Sequence, residues 1–351
     1  MRILHELNQM EMGGAERVVL GIVKHDKANE HTVYTYKDGP MSALLRAAGA
    51  RVIVNEGNAP RENVEVDLIH IHTGGNESSI AAAVKGVIPT VETIHSPVVS
   101  RVRDAWVTQR VGVTNHVTSK NRKCLTIYNG VDLKRLENEL TPEEAKAKLG
   151  IPEDAFVVGR LGRIGTDKGL EEFLAACWHL QMKIGDRLYV LICGGEAKSS
   201  PGYLAKVKVM AASLPIKNVK FIAETDDVAP LYTAMDCFMY PSKTEGFGLV
   251  YVEAMACGVP VVAWKGPVAD EILMGAALIV QPGVKTLTDA AFGIFQSGAL
   301  KHALGQEGQR TAVHYFDEAR MSRDYQDLYR RIPQPQGLED LKEPVEEVAA
   351  A

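Results

Sequence analysis

Two glutamates eight residues apart, Glu245 and Glu253, stand inside KTEGFGLVYVEAMACGVPVVAW, residues 243–264, a run that is otherwise mostly apolar and is punctuated by Gly246, Gly248 and Gly258. On one continuous helix that spacing separates two side chains by about 12 Å along the axis and turns them by roughly 80°. Carboxylates so placed cannot share one proton transfer. The glycines argue for a break, with Glu245 on a strand-to-helix loop and Glu253 inside the helix. Gly246 and Gly248 would let the loop approach a ligand, and the unpaired N–H groups of Phe247, Gly248, Leu249 and Val250 would form an anion site at the helix start. Glu245 and Glu253 would then grip two hydroxyl-bearing parts of one long, phosphate-containing molecule. The plainer reading is a helix-start glutamate and an incidental second one. The spacing, the glycines and the strand that follows weigh against it together.

Cations are supplied by GRLGRIGTDKGLEEF, residues 159–173. Arg163 falls just past an apolar strand and Lys168 just before a helix, at the carboxyl end of a strand, where open α/β sheets bind ligands. The fork of an arginine and the point charge of a lysine could clamp two phosphates; alone, the pair reads equally well as the end of a surface loop. Near the amino terminus, MEMGGAERVV places Gly13 and Gly14 between a strand and a helix. They permit close backbone approach to an anion at the helix start, or simply a tight turn. This is not G-x-G-x-x-G, so a dinucleotide-dependent oxidoreductase lacks its fingerprint. Asp226-Asp227 reads as a helix-start pair, and the spacings of His, Asp and Glu offer no metal-ligand cluster.

These residues need elements to hold them. Apolar β-like runs at 2–7, 31–36, 51–54, 66–72, 89–95, 111–114 and 125–128, then at 156–161, 188–193, 219–222, 237–240, 259–263 and 278–280, alternate with helical patterns. Such alternation predicts an α/β protein with parallel, doubly wound sheets. The turn dipeptide Asn129-Gly130 and the charged stretch after it predict a boundary, with domains at 1–133 and 134–315. A helix at 316–332 carries apolar Phe316, Met321, Tyr325, Leu328 and Tyr329, and the Pro-rich acidic stretch 333–351 reads as a flexible tail.

Composition narrows the partners. A chain of 351 residues with 46% hydrophobic and 24% charged residues suits a globular protein of two domains. Its net charge of −5 exerts no general pull on nucleic acid or anionic membrane. The stretch from Arg101 to Lys123 is locally basic, through Arg101, Arg103, Arg110, Lys120, Arg122 and Lys123 against Asp104. It reads as a solvated face, or as a surface for an anionic acceptor or a peripheral membrane contact. The five scattered cysteines, with no C-x-x-C, suit buried thiols in a reducing compartment. MRILHEL enters a strand without a signal-peptide core, and no apolar run is long enough to span a bilayer, so the expectation is a soluble, cytoplasmic protein.

The run E-G-F-G-L-V-Y-V-E-A-M-A-C-G-V-P-V-V-A resembles the E-x7-E signature of the retaining, nucleotide-sugar-dependent glycosyltransferases of family 4, which have the GT-B fold of two Rossmann-like domains facing across a cleft. GGAERVV, TIHSP at 93–97, YNGVD at 128–132, GRIGTDKG at 162–169 and LICGG at 191–195 extend the resemblance over residues 1–332. It implies a hexosyltransferase that moves a sugar from a UDP- or GDP-sugar. Arg163 and Lys168 would neutralise the donor diphosphate, Glu253 would take the ribose hydroxyls, and Glu245 would hold the sugar with the Gly246, Phe247 and Gly248 backbone. The Leu249 and Val250 N–H groups would reach the phosphates, as would Gly13 and Gly14 from the acceptor-side domain. His95 would lie near the anomeric carbon as a positioning or polarising group. Gly194, Ile222 and Ala223 would cradle the base. The helix at 316–332 would pack back on the first domain. No cofactor and no metal is expected beyond the co-substrate. The acceptor stays open: a saccharide, a lipid-linked sugar or, less in keeping with the charge, nucleic acid. A GT-B sugar phosphorylase, a nucleotide-sugar epimerase and a non-catalytic nucleotide-sugar binder are the alternatives.

Overall fold

The computed structural model describes residues 1–55, 65–72, 78, 80–81 and 86–333. The chain forms two compact units: Met1–Val131 together with the segment from Phe316 onward, and Asp132–Tyr315. Of the stretch expected to be a tail, residues 334–351 lie outside the described residues.

In the first unit seven strands, β1 (Arg2–Leu7), β2 (Glu30–Thr35), β3 (Arg51–Val54), β4 (Leu68–Ile71), β5 (Thr90–Ile94), β6 (Gln109–Gly112) and β7 (Cys124–Thr126), form one sheet in the order β3-β2-β1-β4-β5-β6-β7. Every pair is parallel. The order reverses about β1, so β1 and β4 flank the switch point. β4 and β5 are buried throughout, as parallel strands covered on both faces are. Helix Gly14–His25 buries Val18, Val19, Ile22 and Val23, with Glu16 in its first turn and Lys24 and His25 in its last, charges that complement its dipole. Helix Glu318–Arg331 is started by Asp317, whose side chain accepts from the Ala319 N–H. Its buried residues Met321, Tyr325, Leu328 and Tyr329 join Ile3, Val18, Ile22, Leu68 and Val91 in one core. The Val131 N–H donates to the Phe316 carbonyl at 2.8 Å and the Glu318 N–H to the Val131 carbonyl at 3.1 Å, which ties the returning segment in place.

The basic stretch needs one correction. Arg110 is 3% exposed. Its Nε donates to Glu92 Oε2 at 2.9 Å, its Nη2 donates to the Val102 carbonyl at 2.7 Å, and Asp104 pairs with its Nη1. Strand alternation in β6 turns it into the sheet's packing, so it belongs to the interior and not to a basic face. Arg101, Arg103, Lys120, Arg122 and Lys123 are exposed.

The second unit's sheet is β8 (Phe156–Leu161), β9 (Leu188–Cys193), β10 (Val219–Ile222), β11 (Cys237–Tyr240), β12 (Val261–Trp264) and β13 (Leu278–Val280), in the order β10-β9-β8-β11-β12-β13 and again all parallel. Phe173, Leu174 and Cys177 of helix Leu170–Ile184 and Leu287, Ala291 and Ile294 of helix Val284–Gln296 pack on Val158, Val190, Ile192 and Met239. The switch point lies at β8 and β11, and the loops leaving their carboxyl ends carry the candidate residues. The five cysteines are free. Burial pushes the Cys193 thiol up to about 11 and Cys257 up to about 12, so both stay protonated and unreactive. No described helix is long and apolar enough to cross a membrane.

Candidate active site

Two loops at the switch point of the second unit are stitched together. After β8 the chain passes Gly162 to the 3-10 turn Thr166–Lys168, and helix Leu170–Ile184 follows. After β11 it runs through residues 241–248 to helix Leu249–Ala256. The Lys243 N–H donates to the Asp167 carbonyl at 2.9 Å. Lys168 Nζ donates to the Thr244 carbonyl at 2.8 Å and to Glu245 Oε1 at 2.9 Å, and lies 3.0 Å from Asp167 Oδ2. Ser242 Oγ donates to the same Glu245 oxygen at 2.8 Å. Lys168 is 6% exposed, so its charge is held between two carboxylates with little screening. The lysine read as a phosphate ligand and the glutamate read as a sugar ligand thus hold each other.

Glu245 is on the loop and Glu253 within the helix, as their spacing requires. Gly248 makes the turn between them with φ 80, in the left-handed region, and a Cβ there would stand 2.5 Å from the Tyr251 ring. Leu249 and Val250 form the first turn of the helix, and Phe247 is buried beneath it. Glu253 is 8% exposed. One of its oxygens takes a guanidinium nitrogen of Arg135, and the other accepts from Tyr232 Oη at 3.0 Å. Arg135 also donates to the Asp226 carbonyl at 3.0 Å. A carboxylate oxygen has two lone pairs, so each Glu253 oxygen retains acceptor capacity.

Gly194 follows β9 and its N–H donates to the Ile222 carbonyl at 3.3 Å, which draws Gly194, Ile222 and Ala223 to one place. Gly194 has φ 150, and a Cβ on it would stand 2.0 Å from the Gly162 carbonyl oxygen, one residue before Arg163. Gly194→Ala is therefore expected to cost about 3 kcal/mol, from overpacking against backbone and a conformation L residues avoid. Urea unfolding measures this, and an unchanged midpoint would refute the close approach.

Arg163 is exposed. Three residues earlier the strand hides another cation that the sequence reading passed over. Arg160 is 0% exposed, with its guanidinium carbon 4.9 Å from the centre of the Tyr240 ring and Nη2 donating to the Arg163 carbonyl at 3.4 Å. Its Nε and Nη1 have no hydrogen-bond partner among the described residues. Burial lowers its pKa while the Tyr240 and Glu245 groups favour its charge. A charged residue interrupting VVGRL was the available signal. Arg135 had none, because 118 residues separate it from Glu253.

Gly13, Gly14 and His95 belong to the first unit, and the other candidate residues to the second. Gly13 is the N-cap of helix Gly14–His25 in an extended conformation, and a Cβ on it would stand 2.3 Å from Glu16 Oε2. The anion over this helix start is thus the chain's own carboxylate. His95 follows β5, and its Nε2 lies 3.2 Å from His72 Nδ1. Burial pushes it down to about 4, so it is neutral at pH 7.

The fold also assembles what spacing in the sequence did not suggest. Ring nitrogens of His5, His70 and His72 lie within 4.8 Å of one another, as three metal ligands could. All their nitrogens are engaged: His70 with Tyr329 Oη and Thr93 Oγ1, each at 2.7 Å, His5 with His72 and His31, and His72 with His5 and His95. The contacts of His5 and His72 run from ring to ring, while His70 is tied to Tyr329 and Thr93, so each nitrogen that could ligate a metal already has a hydrogen-bond partner.

Residues 142–311 match the family model for glycosyl transferases group 1. The chain is 32% identical over 198 residues to D-inositol 3-phosphate glycosyltransferase 1 of Catenulispora acidiphila, which covers 51% of this chain and 47% of that one. It is 29% identical over 171 residues to the lipopolysaccharide core biosynthesis mannosyltransferase LpsB of Rhizobium meliloti, covering 47% and 48%. The chain spans about half the length of these curated relatives. Among solved structures it is similar to Anabaena HepE in complex with UDP and glucose, with a TM-score of 0.79 at 20% identity over 95% of this chain and 100% of that one. It is also similar to WaaG, a glycosyltransferase involved in lipopolysaccharide biosynthesis, with a TM-score of 0.71 at 14% identity over 93% and 99%. At these identities the structural likeness is one of fold. Residues 142–311 thus match the group 1 glycosyl transferase model, and the two parallel sheets, with these structural likenesses, give the chain as a whole the GT-B fold.

Proposed function

We propose that this chain is a retaining, metal-independent glycosyltransferase that moves a hexose from a nucleoside-diphosphate sugar to a hydroxyl-bearing acceptor. The observation that carries the reading is the Lys168–Glu245 pair, held by two stitched loops at the carboxyl ends of β8 and β11. In such a transfer the bond from the anomeric carbon to the diphosphate oxygen breaks, and the acceptor oxygen bonds on the same face of the sugar. The acceptor proton leaves with the departing phosphate. Negative charge builds on the diphosphate, and preorganised donors lower the barrier most where that charge forms. Lys168, Arg163 and the N–H groups of Leu249 and Val250 would supply them. Glu245 would exchange its lysine partner for sugar hydroxyls, Glu253 would take the ribose with its remaining lone pairs, and Gly194, Ile222 and Ala223 would border the base.

Donor choice is tested first among uridine and guanosine diphosphate sugars, since HepE was crystallised with UDP. The relatives named for inositol 3-phosphate and lipopolysaccharide core suggest an anionic acceptor, for which exposed Arg101, Arg103, Lys120, Arg122 and Lys123 are suited. A hydrolysis panel without acceptor tests the reading: one donor is expected to be cleaved equally with and without a chelator, and Glu245→Ala to abolish the reaction. Cleavage that needs added phosphate, or full activity in Glu245→Ala, would reject it.

A further inference from the structure

The first unit carries five of its histidines on one face of its sheet. Strand register places His31 of β2, His5 of β1 and His70 of β4 on the same side, and alternation carries His72 and His95 there as well. Four of them make an unbroken row. His31 Nδ1 is 3.0 Å from His5 Nε2, His5 Nδ1 is 3.2 Å from His72 Nε2, and His72 Nδ1 is 3.2 Å from His95 Nε2. At its far end, His31 Nε2 faces Asp26 Oδ2 at 3.3 Å, an ionic contact not aligned as a full hydrogen bond.

Every link joins the ε nitrogen of one ring to the δ nitrogen of the next, so a single tautomer satisfies all of them. Asp26 decides which. Burial alone would raise its carboxyl, but His31, Asn29 and the Ala28 N–H outweigh that and hold it below the usual carboxylate range. An ionised carboxylate only accepts, so His31 carries its proton on Nε2. His5 then donates Nε2–H to His31, His72 to His5, and His95 to His72. The groups flanking the row do not compete: His70 is tied to Tyr329 and Thr93, and burial raises the phenols of Tyr325 and Tyr329. The two ends differ in their surroundings. Asp26 and His31 line a surface cavity of about 720 Å³ with Arg2, Asn29 and Glu65, at the amino ends of the strands. His95 is partly exposed beyond the carboxyl end of β5.

We propose that Asp26, His31, His5, His72 and His95 form a polarised proton relay across the first unit, which keeps His95 in the Nε2–H tautomer with Nδ1 as the accepting nitrogen. A proton taken at His95 Nδ1 releases the Nε2 proton to His72 Nδ1. The same exchange passes through His5 and His31, and the His31 Nε2 proton reaches the buried Asp26 carboxylate. One proton enters at His95 and one comes to rest on Asp26, and every ring ends as the Nδ1–H tautomer until a proton returns or the rings turn over. The wiring does not rest on the function proposed above.

Histidine tautomers are read in the full chain by two-bond nitrogen–proton correlation spectra of labelled imidazoles. His5, His31, His72 and His95 are expected as Nε2–H near pH 7.5, and Asp26→Asn is expected to shift His95, three rings beyond His31's carboxylate contact, toward a mixture. An Nδ1–H His95 in the wild type, or a His95 signal unmoved in Asp26→Asn, overturns the proposal. If Asp26→Asn does not fold, His31→Gln cuts the same link and is read the same way. The spectra need no nucleotide sugar, so failure of the transfer reading and failure of the relay are told apart.

Discussion

Lys168→Ala is expected to lower kcat for donor cleavage by about 10²–10³-fold, the loss typical when one donor to a developing oxyanion is removed. The size follows from where the lysine is held. It lies at the carboxyl end of β8, nearly enclosed, with its ammonium fixed by the Thr244 carbonyl, Asp167 and Glu245, so little reorganisation is needed when a diphosphate charge builds. The same variant is expected to cost about 2 kcal/mol of stability. That is less than a fully buried broken pair, because Glu245 is the more open partner and keeps Ser242. Steady-state kinetics and urea unfolding separate the two effects. Wild-type kcat with lowered stability would leave Lys168 a structural residue only.

Acidification from pH 7.5 to 5.5 is expected to remove about 4 kcal/mol from the stability of the first unit. In the unfolded chain an imidazole takes a proton near pH 6.5. Folded, His5, His70 and His72 are held well below that by burial first and then by neighbouring imidazoles, His31 and His95 among them. Below pH 6.5 the unfolded state therefore binds protons that the folded state refuses, and stability falls with pH at about 1.4 kcal/mol per unit for each ring. It is fully present above pH 6.5. The Glu6 carboxyl, raised by burial, works in the opposite sense and offsets part of the loss. Urea midpoints followed by Trp106, which lies in this unit, provide the measurement. A midpoint constant across the range would mean that the folded rings accept protons as readily as the unfolded ones.

The elements and their order were legible in the sequence. The apolar runs at 2–7, 156–161 and 237–240 coincide with β1, β8 and β11, because a strand covered on both faces is apolar along most of its length. Glu245 on a loop and Glu253 in a helix followed from their spacing and from Gly248, whose φ of 80 suits glycine. Arg110 was misread because a basic count ignores alternation, and one residue along a strand changes which face a side chain takes. The histidines of LHEL, LIHIH and TIH stand in strand-like runs, yet their meaning depended on strand order.

Short-range chemistry thus determined the parallel α/β units, the helix-start loops and the residue types suited to a nucleotide sugar. Periodicity, glycine conformation and helix-end N–H groups act within a dozen residues, so one chain is enough to read them. The pairings were decided only in three dimensions: Lys168 with Glu245 across 77 residues, Arg135 with Glu253 across 118, and His5 between His31 and His72. Strand register aligns the histidines, neighbouring strand ends bring the Lys168 and Glu245 loops together, and a 3-10 turn carries Arg135 to helix Leu249–Ala256, none of which distance along the chain signals. Hydrogen bonds and charge, whose strength depends on burial, then decide which of them become partners.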